Sequence, residues 1–274
     1  MKYGKTALGP LEMQLLAYVQ LKHKDVIHTG EIAPVLDISA KQERELLSRL
    51  SRSGMIVRLK RGAYLVPSRM PSGGRWSVSP YVVLAELMSE MEGRYQIGGP
   101  SAFYYYGFDE QVPNRMYVYN DKIYGERNIG GTEFVFIKTL PDRLGASVTL
   151  ETTDGIRTMM ASKARSLLDA ICDWSRYNTI PRAYRWIAEE VENDAGHGAE
   201  LVQVATKFGN RGTRRRLGYL LELCGLEDHL LEKLRKNLGS SKSLIPWVPG
   251  KPARGTVNKD WGLIVNGVLH TPRS

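Results

Sequence analysis

Cysteine is scarce in this chain of 274 residues: Cys172 and Cys224 are the only two. Two are too few for a disulfide framework or a structural zinc site built from cysteine. No stretch approaches eighteen consecutive apolar residues, which excludes a membrane-spanning helix. The opening Met1 to Pro10 is polar and has no signal-peptide apolar segment, so a cytoplasmic location is expected. Nucleotide and metal signatures are missing too. There is no G-x-x-x-x-G-K-[ST] and no H-E-x-x-H. The five histidines (His23, His28, His197, His229 and His270) lack ligand spacing. Gly98-Gly99 and Gly130-Gly131 lack the strand-to-helix setting of a dinucleotide fingerprint and read as turns. No cofactor or metal is expected, and nothing local supports an enzyme.

What the chain does have is positive charge, a formal +9 in all, unevenly spread. Residues 1–69 carry +6, residues 70–206 carry −5 and residues 207–254 carry +7. Basic ends around an acidic middle suit a nucleic-acid contact at one end and a different task in the centre. Ordinary scatter of surface charge is the bland alternative.

The first seventy residues predict a winged helix-turn-helix. Leu8, Leu11, Leu15, Tyr18 and Val19 give a helix from about Leu8 to Leu21. A short second helix is expected from Glu31 to Leu36, with Pro34 in its first turn. Ser39 then caps a third helix, with Gln42 at the capping-box position, Ser53 at its end and Gly54 placed to stop it. Leu46, Leu47 and Leu50 share one face, while Lys41, Ser48 and Arg52 point nearly opposite. Arg44 and Glu45 lie alongside and Arg49 at the flank. Two strand-like runs follow, Met55–Leu59 and Ala63–Val66, around the basic turn Lys60-Arg61-Gly62. Such a module can set a helix in the major groove and lay its hairpin along the backbone. The predicted DNA-binding set is therefore Ser39, Lys41, Gln42, Arg44, Ser48, Arg49, Arg52, Arg58, Lys60 and Arg61. A winged helix serving only as a protein-binding scaffold is the competing reading.

Residues 70–79 fall in a Pro-, Gly- and Ser-rich stretch and read as a linker, with Trp76 able to pin it to one side. Two domains are expected: 1–69 for DNA and 80–274 as a larger mixed α/β domain ending in helices, an α+β chain overall. The larger domain should begin with a helix at Tyr81–Met91 and a short one capped by Ser101 and ended by Gly107. Strands are expected at Met116–Tyr119, Phe134–Lys138, Ser147–Thr152 and Ile156–Met160, the last two joined by a Thr153-Asp154-Gly155 hairpin turn. Helices should follow at Ser162–Trp174, Pro181–Val191, Gly198–Phe208, Thr213–Leu223 and Glu227–Leu238, then a strand at Leu263–Val265. Lys207, Arg211, Arg214, Arg215 and Arg216 form a second basic region. It reads as a second phosphate contact for DNA, a docking face for an acidic partner or its RNA substrate, or a solvated helix start.

Three stretches carry a family likeness: Ile97-Gly-Gly-Pro-Ser-Ala-Phe-Tyr-Tyr-Tyr-Gly-Phe108 with Gln111-Val-Pro113, then Met160-Ala-Ser-Lys-Ala-Arg-Ser-Leu-Leu-Asp169, and Leu217-Gly-Tyr-Leu-Leu-Glu222. Together they resemble the AbiEi-family antitoxins, in which a winged helix-turn-helix precedes the antitoxin domain. Ser101, Gly107, Pro113, Lys163 and Asp169 fall on the matching motifs. The tyrosines Tyr104 to Tyr106 depart from the more usual aliphatic-plus-His stretch, and packing against a sheet is the simplest role for them. The resemblance implies an autorepressor that binds operator DNA with inverted repeats. It also implies an antitoxin of a type IV toxin–antitoxin system, countering a nucleotidyltransferase-like toxin without needing a stable complex with it. Gly239-Ser240 is followed by no Asp-x-Asp, so the chain does not resemble the toxin itself. A transcription regulator with a small-molecule-sensing C-terminal domain is the alternative.

Overall fold

The structure, a computed structural model, describes residues 8–67, 76–152, 155–236, 238 and 243–268. It is α+β: an N-terminal winged helix followed by a larger α/β region rich in helices. The chain divides into two compact units. The first contains residues 1–95, 120–138 and 150–158, and the second 96–119, 139–149 and 159–274. These bounds differ from the expected 1–69 and 80–274, because the first unit also takes in a helix and a hairpin from later in the chain. Residues 153 and 154 of the expected hairpin turn, and residues 70–75 of the linker, lie outside the described residues.

In the first unit, α1 (Pro10–Leu21) starts on a proline, which loses nothing at a position whose amide has no helical partner. It buries Leu15, Leu16 and Val19. A three-residue strand, β1 (Val26–His28), follows, too short to show in the sequence as an alternating pattern. The helix expected at Glu31–Leu36 is instead a run of turns. Only Leu36 N–H makes a helical four-residue bond there, to Ile32 O (3.0 Å). The chain then turns left-handed at Asp37 (φ 50°), which stops propagation. Next comes α2 (Ala40–Ser53), capped as expected. Ser39 Oγ accepts from Gln42 N–H, Gln42 Oε1 accepts from Ser39 N–H (2.8 Å), and Gly54 closes the helix left-handed. Strands β2 (Val57–Lys60) and β3 (Ala63–Leu65) complete an antiparallel sheet of order β1-β3-β2, with Val26 and Val57 both opposite Leu65.

Leu15, Leu16 and Val19 of α1, Ile27 of β1, Leu46, Leu47 and Leu50 of α2 and Tyr64 of β3 belong to one core. Burying each of the aliphatic side chains stabilises by roughly 1.5–3 kcal/mol. The first unit also holds α3 (Pro80–Ser89) and part of β4 (Tyr95–Ile97).

The second unit opens with α4 (Pro100–Tyr105), followed by β5 (Met116–Asn120). Back in the first unit, β6 (Gly125–Ile129) and β7 (Thr132–Lys138) form a hairpin in register from Gly125↔Phe136 to Ile129↔Thr132. Its two-residue turn, Gly130-Gly131, has positive φ at both positions (63° and 86°), as a type I′ turn requires. Strand β6 has no signal in the sequence because four of its five residues are exposed. Then come β8 (Ser147–Glu151) and β9 (Arg157–Ala161), the latter parallel to β4 at Ile97↔Met160.

Among the described residues, six helices follow in the second unit: α5 (Lys163–Cys172), α6 (Trp174–Tyr177), α7 (Arg182–Asn193), α8 (Ala195–Phe208), α9 (Arg211–Leu223) and α10 (Asp228–Lys236). A small sheet closes it, β10 (Ile245–Pro246), β11 (Thr256–Asn258) and β12 (Leu263–Val265), in the order β10-β12-β11. Leu168, Ile171, Ile187, Leu201, Leu217 and Trp261 lie in its core.

Candidate nucleic-acid interface

Helix α2 turns two opposite faces to its surroundings. Glu43, Leu46, Leu47 and Leu50 are buried on one side. At about 100° per residue, Lys41, Ser48 and Arg52 fall within about 20° of a common direction on the other. Lys41, Arg44, Glu45 and Arg52 are exposed and Ser48 half-buried. Arg52 reaches back to Ser48 Oγ (3.2 Å), which holds the guanidinium along the helix. None of Lys41, Arg44, Arg52, Arg58 and Arg61 has a carboxylate partner among the described residues.

Four of the expected contacts are engaged elsewhere. Arg49, at the flank, is paired with Glu12 of α1 (2.6 Å from Nη2 to Oε1) and ties the two helices together. Lys60 pairs with Glu90 Oε2 (3.3 Å) and donates to the Glu90 carbonyl, while His28 Nε2 meets the same carboxylate at 2.9 Å. Burial works to raise the Glu90 pKa, but His28 and Lys60 outweigh it and hold the carboxyl below its ordinary range. Ser39 and Gln42 spend their side chains on the capping box. The face left open to a duplex is therefore Lys41, Arg44, Ser48 and Arg52 on α2, with Arg58 and Arg61 from the wing.

A residue that sequence reasoning missed holds this face in place. Glu43 is fully buried, and its carboxylate accepts from the amides of Gly30 (2.8 Å), Ile32 (2.8 Å) and Ala33 (3.2 Å). Those donors begin the turn that precedes α2, so one side chain fixes turn and helix together. An acidic residue set among Leu46, Leu47 and Leu50 on the apolar side was the available signal, since a charge in that position needs a partner.

The second basic region does not form an open cationic face. Arg214 donates to Ala205 O (3.0 Å) and Thr206 O (2.7 Å), Arg215 to Ser243 O (2.8 Å) and Arg216 to Pro246 O (3.3 Å). Arg215 is 4% exposed. These guanidiniums pin α9 to neighbouring backbone, and such use of their donors takes them from any phosphate. Arg211 is half-buried, and Lys207 is exposed with its ammonium 5.2 Å from the Phe208 ring.

The motif residues of the second unit act mainly on its own architecture. Ser101 does not cap α4; Gly99 occupies that position, and Ser101 Oγ accepts from Tyr117 N–H (3.0 Å). Gly99 has φ 55°, and a Cβ there would lie 2.7 Å from the Tyr177 ring, so only glycine fits. Gly107 ends α4, and Pro113 sits half-buried in the loop before β5. Lys163 pairs with Glu190 (2.8 Å), and Asp169 accepts from Arg165 Nε (2.9 Å). Burial raises the Asp169 carboxyl to a pKa of about 6, more than the adjacent Arg165 lowers it.

Of the aromatic run, Phe103 is buried against Tyr177 and Trp186, while Tyr104 and Tyr105 are 44% and 52% exposed. Tyr106 donates to Ala161 O (2.9 Å), and burial pushes its phenol up to about 12. Cys172 and Cys224 are half-buried free thiols. Among the described residues, no group of three or more His, Cys, Asp or Glu is placed to hold a metal ion. No helix among them is long and apolar enough to cross a membrane.

Residues 14–67 match the family described as transcriptional regulator, AbiEi antitoxin. This stretch is an AbiEi-type regulator domain. It starts inside α1 and ends just after the wing, so the match covers the cationic face of α2 and the basic turn of the hairpin. A domain of this family is that of a DNA-binding antitoxin regulator. No curated protein matches the chain. Among solved structures, the crystal structure of the RV2827C protein from Mycobacterium tuberculosis is similar over 94% of this chain and 92% of that one. Its TM-score is 0.56 at 13% identity, a likeness of fold alone.

Proposed function

We propose that the chain is an autorepressing antitoxin. Its AbiEi-type domain binds inverted repeats in the operator of its own operon, and the chain counters a cognate nucleotidyltransferase-like toxin, with no stable complex needed. The cytoplasm is its place of work, and catalysis is no part of the role. The observation that carries the DNA half is the exposed face of Lys41, Arg44, Ser48 and Arg52, held by a buried carboxylate and a full capping box. Arginine and lysine on such a face can reach guanine acceptors, and Glu45 beside them can accept from a cytosine amino group. Arg58 and Arg61 add phosphate contacts from the wing. The antitoxin half rests on the AbiEi match of residues 14–67 and on the motif likeness further along the chain.

Little favours a small-molecule sensor. The cavity beside Tyr106 has a volume of about 510 Å³, and Asp109, Glu110, Glu189, Glu190, Arg182 and Arg185 are among the residues lining it. Charge predominates in that wall, whereas a small-ligand pocket is mostly apolar.

The test uses the full-length protein with Lys41, Ser48, Arg52 and Arg61 all replaced by Ala. A reporter driven by the DNA upstream of its own gene should be derepressed, while rescue from the neighbouring toxin persists. Full repression by a folded variant would refute the DNA face. Absence of rescue by the unaltered protein would refute the antitoxin role.

A further inference from the structure

A groove of about 420 Å³ lies within the first unit, where α2 ends. Arg52 and Arg58 line it from the winged helix, Trp76 from the segment ahead of α3, and Asn128, Gly130 and Gly131 from the β6–β7 hairpin. Among the described residues, no carboxylate side chain lines it. Glu133 accepts from Asn128 Nδ2 (2.7 Å) and steadies that side chain.

The hairpin tip is firmly seated. A Cβ on Gly130 would come within 2.9 Å of Val78 and 3.3 Å of Val57, so the turn rests against β2 and the start of α3. The backbone at Trp76 is held as well, its amide N–H donating to Gly54 O (2.8 Å). A helix C-terminus ordinarily repels anions. Here Gly54 N–H and Ser53 Oγ both donate to Leu50 O, and Arg52 and Arg58 bring two positive charges to the lining of the groove.

The position of the groove indicates its occupant. Lys41 and Arg52 are eleven residues apart, about 16 Å along a helix axis. Recognition helices read bases with their N-terminal residues, and the major groove is about 12 Å wide. With Lys41 over base edges, Arg52 therefore lies at the rim, where phosphates run. We propose that this groove holds the sugar–phosphate backbone at that rim, which makes the β6–β7 hairpin, far outside the matched family domain, part of the DNA interface. The proposal rests on the DNA-binding reading above and extends it to residues 76 and 128–131.

The experiment uses full-length protein and the duplex upstream of its gene. Asn128→Asp places a negative charge in the groove without touching the winged helix. It should weaken binding about 5- to 10-fold at 0.1 M salt, with a smaller effect at 0.4 M, where screening is stronger. Arg58→Gln should reduce the slope of log affinity against log salt by about one. Bound duplex should also shield Trp76 from acrylamide quenching, a protection that Trp76→Phe removes.

Unchanged affinity in folded Asn128→Asp, with Trp76 equally quenchable in the complex, would overturn the inference if Lys41→Ala still weakens binding. Indifference to Lys41→Ala and Arg44→Ala as well would bring down the reading beneath it. Inorganic phosphate at millimolar concentration that shields Trp76 without displacing the duplex would mark a small-anion site instead, and would also overturn the proposal.

Discussion

Replacing Glu43 by alanine removes the acceptor for three backbone amides and leaves the Gly30, Ile32 and Ala33 donors without it. An orphaned buried donor costs about 1–3 kcal/mol, and hydrogen bonds to a charged acceptor lie at the upper end of the usual range. Ile32 is fully buried, while its two neighbours are half-buried or exposed and recover part of the loss by hydration. A destabilisation of about 3–5 kcal/mol follows, a large share of the 5–15 kcal/mol typical of a folded domain. Glu43→Gln keeps one carbonyl oxygen and should cost about half as much. Urea denaturation followed by far-UV circular dichroism measures both, at constant m-value. A change below 0.5 kcal/mol for Glu43→Ala would refute the claim that this carboxylate fastens the turn to α2. Because the same contact sets the angle of the reading helix, Glu43→Gln should also weaken DNA binding at temperatures where the protein remains folded.

Arg215→Gln should lower stability by about 2–4 kcal/mol, since it removes a buried guanidinium that pins α9 to Ser243 O. Its DNA affinity per folded molecule should stay within twofold, and a tenfold loss would restore α9 as a phosphate contact. Asp169 has its folded pKa raised from 3.8 to about 6, so the fold binds the proton more tightly than the unfolded chain. The stabilisation tied to that proton is greatest below pH 4 and is lost as pH rises through about 6. The stability difference between wild type and Asp169→Asn should therefore shift in favour of wild type on acidification from pH 7 to 4. A difference that stays flat across that range would contradict the raised pKa.

The parts of the fold legible in the sequence were those with a local cause. The Ser39–Gln42 box and Gly54 marked both ends of α2 to the residue, and Leu263–Val265 stood out as an apolar run. Elements built by distant partners were not legible. Strand β1 exists because three residues pair with β3, and β6 is polar and held by its pairing with β7. The expected helix at Glu31–Leu36 failed because apolar spacing does not reveal a left-handed Asp37. At the site, periodicity identified the outward face of α2 but not its neighbours. Glu12 and Glu90, distant in sequence, occupy Arg49 and Lys60, and backbone carbonyls of α8 and the C-terminal segment occupy Arg214, Arg215 and Arg216. Sequence charge counts cations without showing which already have partners.

The central claim is that uncovered cations of α2 and its wing neutralise DNA phosphates. Its most direct test is the salt dependence of affinity for the upstream duplex, measured by fluorescence anisotropy for wild type and for the variant with Lys41, Ser48, Arg52 and Arg61 replaced by Ala. Three positive charges are removed, so the slope of log affinity against log salt should flatten by up to about 2.7, at 0.9 per phosphate contact. Identical slopes and affinities for the two folded proteins would contradict the account.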